Sequence, residues 1–148
     1  YPRGDVYYLE KGEYKDMEIG KYEIISKGEK VLIIAIGLMV KHSLDAKEIL
    51  LKENINPTII NARFLKHIDK NLLDNIIDDY DYIVTIEDNV ITGGFGSRIN
   101  KFVIDNDYNI KVRNLGIDDE FIEQGNVDDL YDLVGLSPEK IAEFIKKL

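Results

Sequence analysis

The chain has 148 residues, 45% of them hydrophobic and 32% charged, with a formal net charge of −9. That length suits roughly one domain with a core large enough to stand without staples. The lack of cysteine excludes disulfides, thiolate metal sites and cysteine nucleophiles, two histidines (His42 and His67) cannot build a metal site alone, and the acidic surface repels nucleic-acid backbones.

Residues 1–20 show no sustained period and read as a tail or linker. The chain opens Tyr1-Pro2-Arg3-Gly4 without an initiator methionine, so a processed chain or a piece of a longer polypeptide is expected. No basic stretch followed by an apolar core opens it, and a cytoplasmic location is expected. Tyr22 to Ile25 predicts a short strand before a turn at Lys27-Gly28-Glu29. Val31 to Ile36 is a continuous apolar run, the pattern of a strand buried on both faces. The wider apolar stretch ends at Val40, far short of the ~20 residues that span a bilayer. Val40, Leu44, Leu50 and Leu51 then share one helical arc, interrupted by Lys47.

Thr58 to Ala62 predicts the next strand. Asp69 is placed to cap a helix carrying Leu72, Leu73, Ile76, Ile77 and Tyr80. Tyr82 to Ile86 is strand again, with a loop expected from Glu87 to Gly96. Ser97 is expected to cap a helix presenting Ile99, Phe102 and Val103. Lys111 to Leu115 predicts the last strand. Asn126 caps a short helix stopped by Gly135, and Ser137-Pro138 opens the final one. Strands separated by helices predict an α/β fold: a three-layer open sheet, mostly parallel, with one antiparallel edge strand and helices on both faces.

In such a sheet ligands gather outside the carboxyl ends of the strands. Arg63, Glu87, Asp88, the run Gly93-Gly94-Phe95-Gly96 and Asp118-Asp119 all fall on that rim. Free N–H groups after the glycines could hold an anion, although tight turning and close packing explain the glycines more simply. Glu87 and Asp88 could work as acid and base, against the simpler role of capping a helix or forming an ion pair. Arg63 could grip a phosphate or carboxylate, and pairing with Glu87 or Asp88 is the simpler expectation. His42 and His67 read as surface or capping residues. Asp78-Asp79 and Asp118-Asp119-Glu120 lack the ligand spacing of a calcium loop. No nucleophile stands with a base, and no complete catalytic constellation emerges. The residues by themselves describe a binding or assembly domain.

Four motifs occur in order: Tyr1-Pro2-Arg3-Gly4; Asn61-Ala62-Arg63-Phe64; Glu87-Asp88-Asn89 with Gly93-Gly94-Phe95-Gly96-Ser97; and Gly116 to Gly125. With them the chain resembles the C-terminal domain of the 1-deoxy-D-xylulose-5-phosphate synthase family, thiamine-diphosphate enzymes of transketolase type, from the first residue to about Leu136. It departs from the family's pattern at Asp88, where a second glutamate is usual, and at Ile117-Asp118, where a proline is common. The resemblance implies that 1–18 is the tail of a preceding pyrimidine-binding domain plus linker, and that 19–148 is the C-terminal domain.

For the intact enzyme it implies condensation of pyruvate with glyceraldehyde 3-phosphate, with loss of CO2, serving isoprenoid, thiamine and pyridoxal synthesis. Thiamine diphosphate and Mg2+ would sit on other domains, since the family's Gly-Asp-Gly motif is missing here: Gly4-Asp5 is followed by Val6. No catalytic residue and no metal ligand is then expected in this chain, which should be inactive alone. Arg3 would bind the phosphate of glyceraldehyde 3-phosphate, in the intact enzyme only. Arg63, Glu87, Asp88, Gly93, Gly94 and Gly96 would form a rim for domain packing or for an anion. The implied partners are the upstream domains and a second subunit, as a homodimer, with neither nucleic acid nor membrane. Alternatives are the C-terminal domain of transketolase or of a 2-oxoacid dehydrogenase E1 β subunit, or a free-standing anion-binding module.

Overall fold

A computed structural model describes residues 16–148. Its centre is β2 (Lys30–Ala35), in which Leu32, Ile33, Ile34 and Ala35 have no exposed surface. Successive side chains of a strand point to opposite faces. Val31, Ile33 and Ala35 therefore enter one apolar cluster, and Leu32 and Ile34 enter another. A strand of this composition must be covered on both sides, and each buried aliphatic side chain contributes about 1.5–3 kcal/mol.

β3 (Thr58–Asn61) and β4 (Tyr80–Val90) flank β2 in parallel, and β5 (Lys111–Ile117) follows β4 in the same sense. β1 (Glu23–Ser26) closes the other edge antiparallel to β3, giving the order β1-β3-β2-β4-β5. The expected mostly parallel sheet with one antiparallel edge is thus observed.

One face carries α1 (Met39–Leu51), α4 (Val127–Leu133) and α5 (Pro138–Ile145); the other carries α2 (Lys70–Ile76) and α3 (Phe95–Asp105). Three helix starts follow the sequence reading. Asp69 accepts from Leu72 N at 3.2 Å, Asn126 from Asp128 N at 2.9 Å, and Ser137 from Lys140 N at 3.4 Å. Lys47, which breaks the apolar arc of α1, is buried, and its Nζ donates to the carbonyls of Pro57 at 2.7 Å and Lys27 at 3.1 Å. Burial draws its pKa below the ordinary lysine value.

Boundaries differ where polar residues disguise a strand or where a helix tightens. α2 stops at Ile76, Ile77–Asp79 form a 3-10 turn, and Tyr80 begins β4 instead of ending the helix. β4 continues through Glu87, Asp88 and Asn89, expected as loop, because Val90 regains pairing with Ile117 beyond an irregularity. α3 starts at Phe95 with Gly94 as its cap, so Ser97 lies inside the first turn and does not cap it.

Candidate functional site

The carboxyl ends of β2, β3, β4 and β5 open on one rim, which gathers most of the residues singled out from the sequence. Arg3 lies outside the described residues, as does most of the expected tail, 1–18.

Glu87 sits at the end of β4 on the face that α3 covers, and it is 2% exposed. Its carboxylate accepts from Phe95 N at 2.7 Å and from Gly96 N at 2.8 Å. Those are N–H groups of the first turn of α3, which have no partner within the helix. Glu87 is therefore the anion of its own helix terminus, and the external anion that the glycines left open as a second possibility would find that position filled. Gly94 makes room for it: a Cβ there would lie 2.4 Å from Glu87 Oε2 and 2.4 Å from the Val90 carbonyl. At Gly96 a Cβ would lie 2.4 Å from Asn114 Nδ2 and 2.7 Å from Thr85 Oγ1, so its absence lets α3 lie close on the sheet. Gly93 is exposed and donates its N–H to Ser97 Oγ at 3.2 Å, while that hydroxyl donates to the Ile91 carbonyl at 2.7 Å.

Asp88 goes the other way. It is exposed and accepts from the Tyr131 hydroxyl of α4 at 2.8 Å. Strand alternation sends two consecutive carboxylates to opposite layers, so they do not form a cooperating acid–base pair. The capping role is observed for Glu87.

Arg63 pairs with neither. Its Nη2 forms an ion pair with Glu23 of β1. The sequence reading treated the ends of β3 and β4 as neighbours, but β2 lies between them, which separates them by about 10 Å. Arg63 has φ +58°, and its N–H donates to Asn61 Oδ1 at 3.0 Å.

Neither histidine carries chemistry at the rim, and one is not on the surface. His42 is buried between α1 and α4, donating from Nδ1 to the Leu136 carbonyl at 2.7 Å with its ring edge-on to Tyr131 at 4.8 Å. His67 is exposed in the loop after β3, beside Phe64.

A shallow cleft of about 570 Å³ runs across the rim, lined by Ile36, Gly37, Leu38, Leu65, Glu87, Asp88 and Asn89. Its only buried acid is already bonded to α3. Among the described residues no group of three His, Asp or Glu side chains could hold a cation. This donor set does not fit a diphosphate with its Mg2+, and no chemical step is assigned to it. What the sequence reading missed is Tyr131 as the partner of Asp88, for which no sequence signal existed. The commitment of Glu87 to the start of α3 is the capping role that the sequence reading preferred, although the reading did not name the N–H groups of Phe95 and Gly96 as its partners.

The transketolase C-terminal domain model matches residues 20–141. The 1-deoxy-D-xylulose-5-phosphate synthase of Clostridium beijerinckii is 46% identical over 148 residues, covering 100% of this chain and 24% of the relative. That of Dictyoglomus thermophilum is 48% identical over 135 residues (91% and 22%), and that of Aquifex aeolicus 40% over 146 (99% and 23%). The chain thus spans about a quarter of the length of these curated relatives. A solved split-gene transketolase, described as an inactive beta4 tetramer, superposes with a TM-score of 0.81 at 27% identity, covering 88% of this chain and 43% of that one. A Pichia stipitis transketolase with sedoheptulose-7-phosphate gives 0.61 at 18% identity (85% and 17%), a likeness of fold alone.

Proposed function

This chain belongs to the transketolase C-terminal domain family, and from that membership we propose that it is the C-terminal assembly domain of a 1-deoxy-D-xylulose-5-phosphate synthase. The observation that carries the reading is identity of 46% along the whole chain with a synthase of which it covers the equivalent of 24%. In the intact enzyme, thiamine diphosphate and Mg2+ supply the carbanion chemistry that joins pyruvate to glyceraldehyde 3-phosphate with loss of CO2. On this reading the cofactor sits on the upstream domains, and the part of the described residues is structural: a sheet whose rim faces the rest of the molecule. Arg3, in the segment leading from the preceding domain, would take the aldehyde's phosphate as a fork-shaped donor once that domain is in place. The enzyme would be a cytoplasmic homodimer.

The beta4 assembly of the split-gene transketolase is itself described as inactive, which supports the expectation that this piece does not turn over alone. Given thiamine diphosphate, Mg2+ and both substrates, the chain by itself should release no CO2, while the full polypeptide should make the deoxyketose phosphate. Measurable CO2 release by the chain would overturn the reading. The same likeness supports a second one, the C-terminal domain of transketolase proper, and the ketose formed by the full polypeptide decides between them.

A further inference from the structure

We propose that the carboxyl rim of the sheet is the face on which the upstream domains dock, with Phe121 as anchor in an apolar socket rimmed by basic side chains. This rests on the reading of the chain as the closing domain of a longer enzyme.

Phe121 projects completely into solvent, with a relative exposure of 107%, and Leu133 beside it reaches 73%. They border a cleft of about 560 Å³ just beyond the end of β5. At the other end of the rim, past β1 and β3, Ile19 is 76% and Leu65 43% exposed. The two ends lie at the outer strands of the sheet, four strand spacings or about 19 Å apart, with the cleft over Leu38 and Leu65 between them. Exposed apolar residues at both ends of one rim, with charge around them, mark an interaction surface. The opposite rim is different. Its turns are Lys27-Gly28-Glu29, Lys52-Glu53-Asn54 and Asn106-Asp107, and the exposed Leu51 and Ile104 stand singly on separate helices.

Two observations name the occupant. Residues preceding β1 arrive at this same rim, since Glu23 lies opposite Asn61 at the end of β3 and Gly20 rests against His67. About three-quarters of the relatives' length lies outside this chain, and on the reading proposed above it precedes residue 1, the side from which the described residues reach this rim. Charge narrows its chemistry. Asp118, Asp119, Glu120 and Glu123 surround Phe121, all exposed, and none belongs to an ion pair among the described residues. A second copy that set its own Phe121 region against this one would put acid against acid, whereas a socket edged with Lys or Arg would satisfy it.

The test replaces Phe121 by the photoreactive p-benzoylphenylalanine in the full-length enzyme and maps the cross-link by mass spectrometry. The expected product joins position 121 to a peptide upstream of this domain with Lys or Arg beside it. A link to residues 16–148 of a second copy, an acidic target, or no link overturns the proposal. As a second readout, Phe121→Asp should speed proteolytic release of this domain at least about tenfold, and Ile104→Asp should not; equal rates overturn it. Failure of the underlying reading looks different: a natural polypeptide of about 17 kDa removes both, whereas a ketose-forming enzyme without the cross-link removes this inference alone.

Discussion

Glu87 lies beneath the first turn of α3, and its two oxygens take the two N–H groups that the helix cannot use. A charged acceptor there gains from both bonds and from the helix dipole. Glu87→Gln keeps the shape but turns an NH2 toward one of those N–H groups, leaving a buried donor unpaired. The substitution should cost about 2 kcal/mol, read as a lower urea midpoint at unchanged slope. A loss within experimental error would show that the carboxylate is not what holds the helix. Asp88, exposed on the opposite face, should tolerate the same change far better, because a surface bond of this kind contributes little.

At the scale of elements, the turn between β4 and α3 is set by space more than by propensity. Gly94 → Ala would drive a methyl to 2.4 Å from the Val90 carbonyl, which belongs to the backbone and cannot swing aside. The expected cost is about 1–3 kcal/mol by overpacking. Since the same methyl would displace the Glu87 carboxylate, the double substitution with Glu87→Gln should cost less than the sum of the two. Strict additivity in a double-mutant cycle would separate the turn from the cap. α4 makes the contrast: it has seven residues and none is buried, so Asn126 and the Tyr131 contacts to Asp88 and His42 tie it down.

Across the whole molecule, the chain carries −9, its helix terminus at the rim holds an internal carboxylate, and Arg63 is engaged by Glu23. A free-standing phosphate-binding module has none of its needed parts vacant. Thermal unfolding should therefore coincide in sodium phosphate and in sodium chloride of matched ionic strength. A phosphate-specific rise that vanishes in Arg63→Ala would restore the anion-binding reading. The rim then reads as a surface shaped for protein, with exposed apolar residues at both ends and acids around Phe121.

Local pattern was enough to determine which elements exist and their order, though not the bounds of α2, β4 and α3. The apolar run at β2, the caps at Asp69, Asn126 and Ser137, and helical spacing in α5 are short-range features, and each is found where the sequence places it. The mostly parallel class followed from their alternation, and the ordered motifs indicated the family. Contacts between distant residues were another matter. Strand order, which no local pattern encodes, decided that Arg63 meets Glu23 and not β4. Pairing with Ile117 carried β4 through Glu87-Asp88-Asn89 despite their polarity, and the strand's alternation then sent the two acids to different helices. Burial of Lys47 and His42 likewise depended on carbonyls supplied from Pro57 and Leu136, partners that exist only once the layers have packed.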